Sequence, residues 1–161
     1  MIDFRDVDYP SVYRERDNEY FRELQQLIED NSLPLPLLLQ NYMAFIRRRE
    51  FAQTIAYIHL FEIIKDTPGS IAELGVYLGN GLFTWSKLLE TFCPGVRGRK
   101  VFGFDSFKGY VDVTKTEADS VQFITNLHGH TFDSSEEVVN RLIQINEADN
   151  IIMGAQRIKL Y

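Results

Sequence analysis

The sequence predicts an α/β fold in which a helical N-terminal region leads into a parallel β-sheet flanked by helices. Three observations carry that prediction. Residues 70–74 (SIAEL) form a short apolar run bounded by turn residues, as a buried parallel strand requires. Residues 82–92 follow with helical spacing, and a second short apolar run, residues 100–104, comes after a return loop. Residues 17–65, by contrast, show mainly helical periodicity.

Residues 1–16 are charged and irregular and read as an arm. Asp17 is placed to cap a helix on which Tyr20, Leu24, Leu27 and Ile28 share one face. Asn31, Ser32 and the prolines at 34 and 36 end that helix and open a linker. Residues 37–65 read as a longer helical region in one or two pieces. There Phe51, Ile55, Ile58 and Glu62 track one stripe, and Leu60, Phe61 and Ile64 widen it. Asp66, Thr67, Pro68 and Gly69 stop it.

The first strand then runs over residues 70–74. The helix after it offers Leu82, Trp85, Leu88 and Leu89 to the sheet, and Pro94, Gly95 and Gly98 mark the return. The second strand ends at Asp105. Residues 109–133 are polar and irregular, a surface excursion around His128 and His130. Ser134 and Glu137 have capping-box spacing, and Val138, Leu142 and Ile145 continue a helical face. Asp149 and Asn150 suggest a turn. Residues 157–161 alternate, with Ile158 and Leu160 on one side, like the start of a third strand. The division expected is residues 1–66 as arm and helical lid, and residues 67–161 as the first half of a ligand-binding sheet domain.

Composition narrows the class. A chain of 161 residues with 45% hydrophobic and 25% charged residues can build one soluble domain with a real core. A formal charge of −6 argues against nucleic acid as the partner, because phosphate binding needs clustered cations. The one dense basic cluster, Arg47 to Arg49, reads as a solvated helix face. The N-terminus lacks the apolar core of a secretory signal, and no apolar stretch approaches the roughly 20 residues that span a membrane. A single cysteine, Cys93, excludes an intramolecular disulfide framework and fits a reducing, cytoplasmic compartment.

The chemistry concentrates in residues 68–109. Strand, glycine-rich turn and helix in that order form a cofactor-binding βα unit. Glycines serve there because the turn visits positive φ and because a ligand approaches the backbone closely. Asp105 falls 24 residues after Gly81, near the spacing of a carboxylate that accepts hydrogen bonds from ribose hydroxyls. The glycine spacing, Glu73-x-Gly75-x-x-x-Gly79-x-Gly81, is not the G-x-G-x-x-G of dinucleotide enzymes. Glu73 beside the turn would repel a pyrophosphate but suits a ligand with a cationic amino group, as S-adenosylmethionine has. A dinucleotide oxidoreductase is therefore disfavoured.

Other candidates read as ordinary structure. His128 and His130 stand at i, i+2 without an evident third ligand, so they read as solvent-exposed rather than as a metal pair. His59 reads as a packed or boundary residue of its helix. Cys93 has no His or Asp constellation around it. Tyr42, Phe45, Phe51 and Tyr57 either cover a cofactor cleft or pack on the sheet.

AELGVYLGNGLF and VFGFDSFKGY resemble the class I S-adenosylmethionine-dependent methyltransferases, and more narrowly the macrocin O-methyltransferase (TylF-like) type of sugar-modifying enzymes. The resemblance rests on E-x-G-V-x-x-G from Glu73 to Gly79 and on DSF-x-G from Asp105 to Gly109. It extends less specifically to SSEEV and RIKLY, covering about residues 45–161. It implies a Rossmann-like sheet, with Glu73 and Gly75 at the methionine end of the cofactor. It also implies that Tyr77, Gly79 and Gly81 shape the turn, that Asp105 holds the ribose, and that Ser106 and Phe107 lie beside the adenine. Tyr77 replaces a frequent tryptophan, and Asn80 interrupts consecutive glycines.

The resemblance implies about seven strands, whereas three are legible here. The general base and any acidic ligands for a divalent cation such as Mg2+ would lie beyond Tyr161, and no catalytic residue is assignable. The expectation is therefore the binding half of an S-adenosylmethionine-dependent O-methyltransferase for a sugar or glycoside hydroxyl: a truncated form, a split product with a complementing chain or homo-oligomer, or a degenerate homologue. The alternative is a non-catalytic module that keeps the fold for interaction or assembly.

Overall fold

The computed structural model describes residues 11–108 and 136–161, with side chains from residue 15 onward. His128, His130, Ser134, Gly109 and the 109–133 excursion lie outside the described residues. The chain divides into two compact units, which within the described residues comprise 11–48, and 49–108 with 136–161.

The first unit holds α1 (Ser11–Asp30), α2 (Leu35–Gln40) and a 3-10 turn (Tyr42–Ala44). Helix α1 starts six residues before Asp17, so the expected cap is a mid-helix residue and part of the expected arm is helical. Asp17 instead pairs with Arg47 at 2.8 Å, and that guanidinium also stacks over Phe21, 4.7 Å from the ring centroid. Arg47 is thus not part of a solvated helix face. Pro34 sits just ahead of α2, where its fixed φ suits a helix start.

The second unit holds α3 (Arg48–Ile64) from its second residue on, then β1 (Ile71–Leu74), α4 (Asn80–Phe92), β2 (Val101–Phe104), α5 (Glu136–Glu147) and β3 (Ile158–Leu160). The three strands form a parallel, Rossmann-like sheet in the order β1-β2-β3, with Ile71 opposite Val101 and Val101 opposite Ile158. One face, through Ile71, Val101, Gly103 and Ile158, joins a core with Leu82, Trp85, Leu88 and Leu89 of α4, Val139 and Ile143 of α5, and Phe61 of α3. On the other face Leu74 is 83% exposed, and Phe104 stacks on Tyr161 with centroids 5.3 Å apart.

Gly103 is what lets helix and sheet approach. A Cβ there would lie 2.9 Å from Val76 Cγ2 and 3.0 Å from Leu82 Cδ1. Helix α3 turns a different face inward from the one its apolar stripe suggests. Phe51, Ile55 and Ile58 are exposed, while Tyr57, Phe61 and Ile64 pack on the core. The spacing i, i+4, i+7 fits one helical face either way, and the partners decide: Tyr57 meets Trp85 edge to face, and Phe61 meets Phe92. His59 is exposed rather than packed.

Two buried arginines tie the loops to this frame. Arg99 donates to the Ile64 and Lys65 carbonyls, capping the C-terminus of α3 where a cation is favoured. Arg157 pairs with Glu90 through Nε, and its remaining four N–H groups reach the carbonyls of Cys93, Pro94, Val96 and Arg99. Among the described residues no helix is long and apolar enough to cross a membrane.

Candidate cofactor site

The turn between β1 and α4 stands at the carboxyl end of the strands, where open parallel sheets bind ligands. Gly75, Tyr77 and Gly79 all have left-handed backbones, with φ of 87°, 53° and 85°. Two of these are glycines for that reason, and a side chain at Gly79 would also meet the Phe83 ring at 2.6 Å. Tyr77 is the exception and carries strain of the kind that clusters at binding sites.

Asp105 holds this strained turn. Its Oδ2 accepts the backbone N–H groups of Val76 at 2.7 Å and Tyr77 at 2.8 Å. Its Oδ1 accepts that of Phe107 at 2.8 Å, closing an Asx turn in which Phe107 also has positive φ. Partial burial works to raise the Asp105 pKa, but the backbone donors of Tyr77, Phe107, Val76 and Ser106 outweigh it and hold the carboxyl below its ordinary value. A carboxylate offers about four acceptor positions, so these backbone donors take most of its capacity. Ser106 Oγ accepts the Lys108 N–H, and Phe107 packs against the core.

Glu73 presents the opposite electrostatics. It is the penultimate residue of β1, on the same face as Ile71, and its Oε2 is buried without a hydrogen-bond partner. Burial raises its pKa, partly offset by the Leu82 backbone N–H. The carboxylate lies directly over Gly81: a Cβ there would stand 2.4 Å from Oε1 and 2.6 Å from Oε2. Gly81 therefore lets the carboxylate pack against its backbone, where a side chain would collide with it.

The structure thus brings Glu73, Gly75, Tyr77, Gly79, Gly81 and Asp105 around one turn, with Ser106 and Phe107 following Asp105. Of the aromatics expected to cover a cleft or pack on the sheet, Tyr57 packs on the core and brings its hydroxyl over Gly81 beside Glu73; Gln53, one helical turn before it, was missed. The signal was present, since Gln53, Tyr57 and the buried Phe61 are spaced i, i+4, i+8. Sequence reasoning also missed Val76 and Tyr77 as backbone donors to Asp105. Two grooves, of about 280 Å³ along α4 and the segment after α5 and about 380 Å³ beside residues 65–70, are not lined by the turn. Among the described residues no group of three or more His, Cys, Asp or Glu is placed to hold a metal ion.

Comparison with solved structures identifies the fold. The chain superposes on the crystal structure of CalS11, calicheamicin methyltransferase, with a TM-score of 0.72 and 24% identity over 99% of its length. It superposes on the apo structure of CalS11, a TDP-rhamnose 3'-O-methyltransferase of calicheamicin biosynthesis, with a TM-score of 0.62 and 23% identity, again over 99%. The fold is the α/β fold of these methyltransferases. The chain spans 61% and 59% of the two neighbours' chains, about three-fifths of their length. No protein-family model and no curated protein sequence matches it.

Proposed function

We propose that this chain supplies the S-adenosylmethionine-binding turn of an O-methyltransferase that acts on a sugar or glycoside hydroxyl. One observation carries the reading. Glu73 is a half-buried acid with one buried, unpartnered oxygen, held over a glycine where no side chain fits. That arrangement suits the α-ammonium group of the methionine end, which brings both positive charge and donors. The carboxyl end of a parallel sheet supports a ligand there, and the likeness to a sugar O-methyltransferase supports the acceptor class.

The cofactor, when bound, supplies the methyl group. The chain's own residues bind and orient. Gly75, Gly79 and Gly81 let the backbone come close, and Asp105 fixes the turn through Val76 and Tyr77. A ribose hydroxyl is assigned to the edge of the Asp105 carboxylate, with Ser106 and Phe107 on the adenine side. Positioning of this kind supplies much of the rate enhancement in a displacement that breaks and forms single bonds.

Isothermal titration with S-adenosylhomocysteine tests the assignment. Saturable binding that Glu73→Gln weakens is expected. Absence of binding at millimolar ligand removes the proposal.

A further inference from the structure

The groove of about 280 Å³ between α4 and the segment after α5 has a hydroxyl in its floor with nothing to bond. Ser86 lines the groove and is only 6% exposed. Thr84 and Thr91, on the same helix, donate to the carbonyls of Asn80 and Lys87, four residues back. The Ser86 hydroxyl makes no such bond, and among the described residues it has no other partner. Unlike Glu73 Oε2, its oxygen is not sealed off from the surface. A hydroxyl left unpaired at that depth is costly, and a ligand that reaches it removes the cost. We propose that this groove is a ligand site separate from the glycine turn, built for a neutral polyhydroxylated ligand the size of one sugar ring. The inference does not rest on the cofactor reading.

Charge selects the class. Glu90, the buried acid of the groove, pairs with Arg157, and its Oε2 accepts the Ile151 N–H at 3.0 Å. Lys87 and Asp149 stand exposed at the rim, opposite in sign and, among the described residues, in no ion pair. The groove is therefore close to neutral, which disfavours a phosphate or a metal cation. Rim charges screened by water add little for a zwitterion, whose own desolvation is costly.

The hydrogen-bonding groups then call for hydroxyls. Lys87 Nζ gives one donor to Asn146 Oδ1 at 2.8 Å and keeps two. Asn150 spends its Nδ2 on the Ala155 carbonyl at 2.7 Å, which leaves its Oδ1 to accept. Ser86 can do either. A ligand hydroxyl both donates and accepts, so one kind of group serves all three. Phe83 and Ile151 supply apolar wall for the C–H edges of a ring. Phe83 is braced from behind by Gly79, where a Cβ would lie 2.6 Å from its ring. The volume falls just short of the roughly 300 Å³ at which sites for drug-sized ligands begin, as a single ring requires.

Amide chemical shifts of the whole chain test the inference as L-rhamnose, D-glucose or myo-inositol is added, with glycine betaine and inorganic phosphate as charged controls. At least one neutral probe is expected to move the Ser86, Lys87 and Ile151 amides saturably, with a Kd on the order of 1–10 mM. Ser86→Ala is expected to weaken that probe by about fivefold. Lys87→Met, at an exposed position that does not endanger folding, is expected to weaken it by about threefold. No saturable shift with any neutral probe up to about 100 mM means that the groove holds only water, and overturns the inference. Affinity unchanged in both variants overturns it too. So does tighter binding of glycine betaine or phosphate than of every neutral probe, or a set of shifts that maps to residues 75–81 instead of the groove.

Discussion

The carboxylate of Asp105 accepts the backbone N–H of Tyr77 at 2.8 Å, and Tyr77 is held in a left-handed conformation that tyrosine rarely adopts. An acid that by its position would be assigned to a ligand spends most of its capacity on the protein's own backbone. Loss of binding in an Asp105 variant would therefore report on the turn as well as on a ribose contact.

Asp105 should stabilise the fold in a pH-dependent way. Its folded pKa lies below the unfolded value, so its contribution is present above that value and lost as pH falls through the folded one. Asp105→Ala should cost about 2–3 kcal/mol at pH 7, since it orphans the Val76 and Tyr77 donors. Asp105→Asn should cost less. Denaturant melts at pH 7 and pH 3 should show the gap between wild type and variant closing in acid; a constant gap would contradict the assignment.

Glu73 should behave with the opposite sign. Its folded pKa is raised above 4.5, so the native state binds the proton more tightly and loses stability as pH rises through the window between the two values. Above that window Glu73→Gln should melt higher than wild type in the absence of ligand, by a few degrees at about 2–4 °C per kcal/mol. The same variant should bind S-adenosylhomocysteine less well. Wild-type affinity should fall as pH drops through the raised pKa, and the variant's should not follow it. A lower melting temperature for ligand-free Glu73→Gln at pH 8 would argue that the acid is a structural anchor.

The Glu90–Arg157 pair should be intolerant of half-removal. Glu90→Ala leaves a fully buried guanidinium without its anion, for an expected loss of about 3–5 kcal/mol. Removing both partners with Glu90→Leu and Arg157→Met should recover part of that loss. Urea midpoints of the two singles and the double decide it, and additive losses would mean the two residues do not act as a pair.

Gly103→Ala should destabilise by about 1–3 kcal/mol, because its methyl group meets Val76 and Leu82 at the helix–sheet contact. Thermal melting reads the effect. A neutral result would mean that α4 moves off the sheet at little cost.

Much of this fold was legible in the sequence because its determinants are local. The strand runs end within one residue of where apolar runs and turn residues place them, and the glycine turn dictates its own positive φ values. What was not legible depends on partners far along the chain. Nothing near Phe51, Ile55 and Ile58 says that α3 turns Tyr57 and Phe61 inward; Trp85 and Phe92 decide that from another helix. A strand-end aspartate looks the same in sequence whether it faces a ribose or two backbone amides. Arg157 reads as a polar residue opening a strand, and only folding shows five donors meeting Glu90 and four carbonyls.

That arginine also sets an order of events. It stands 58 to 67 positions downstream of the groups it binds, so closing this contact closes a long loop. During synthesis the β1-α4-β2 segment emerges well before Arg157 does, with Glu90 and the loop carbonyls still without it. The contact raises the mean sequence separation of native neighbours, which slows folding at a given stability. The segment that presents the glycine turn becomes locked only after a residue far beyond it has been made.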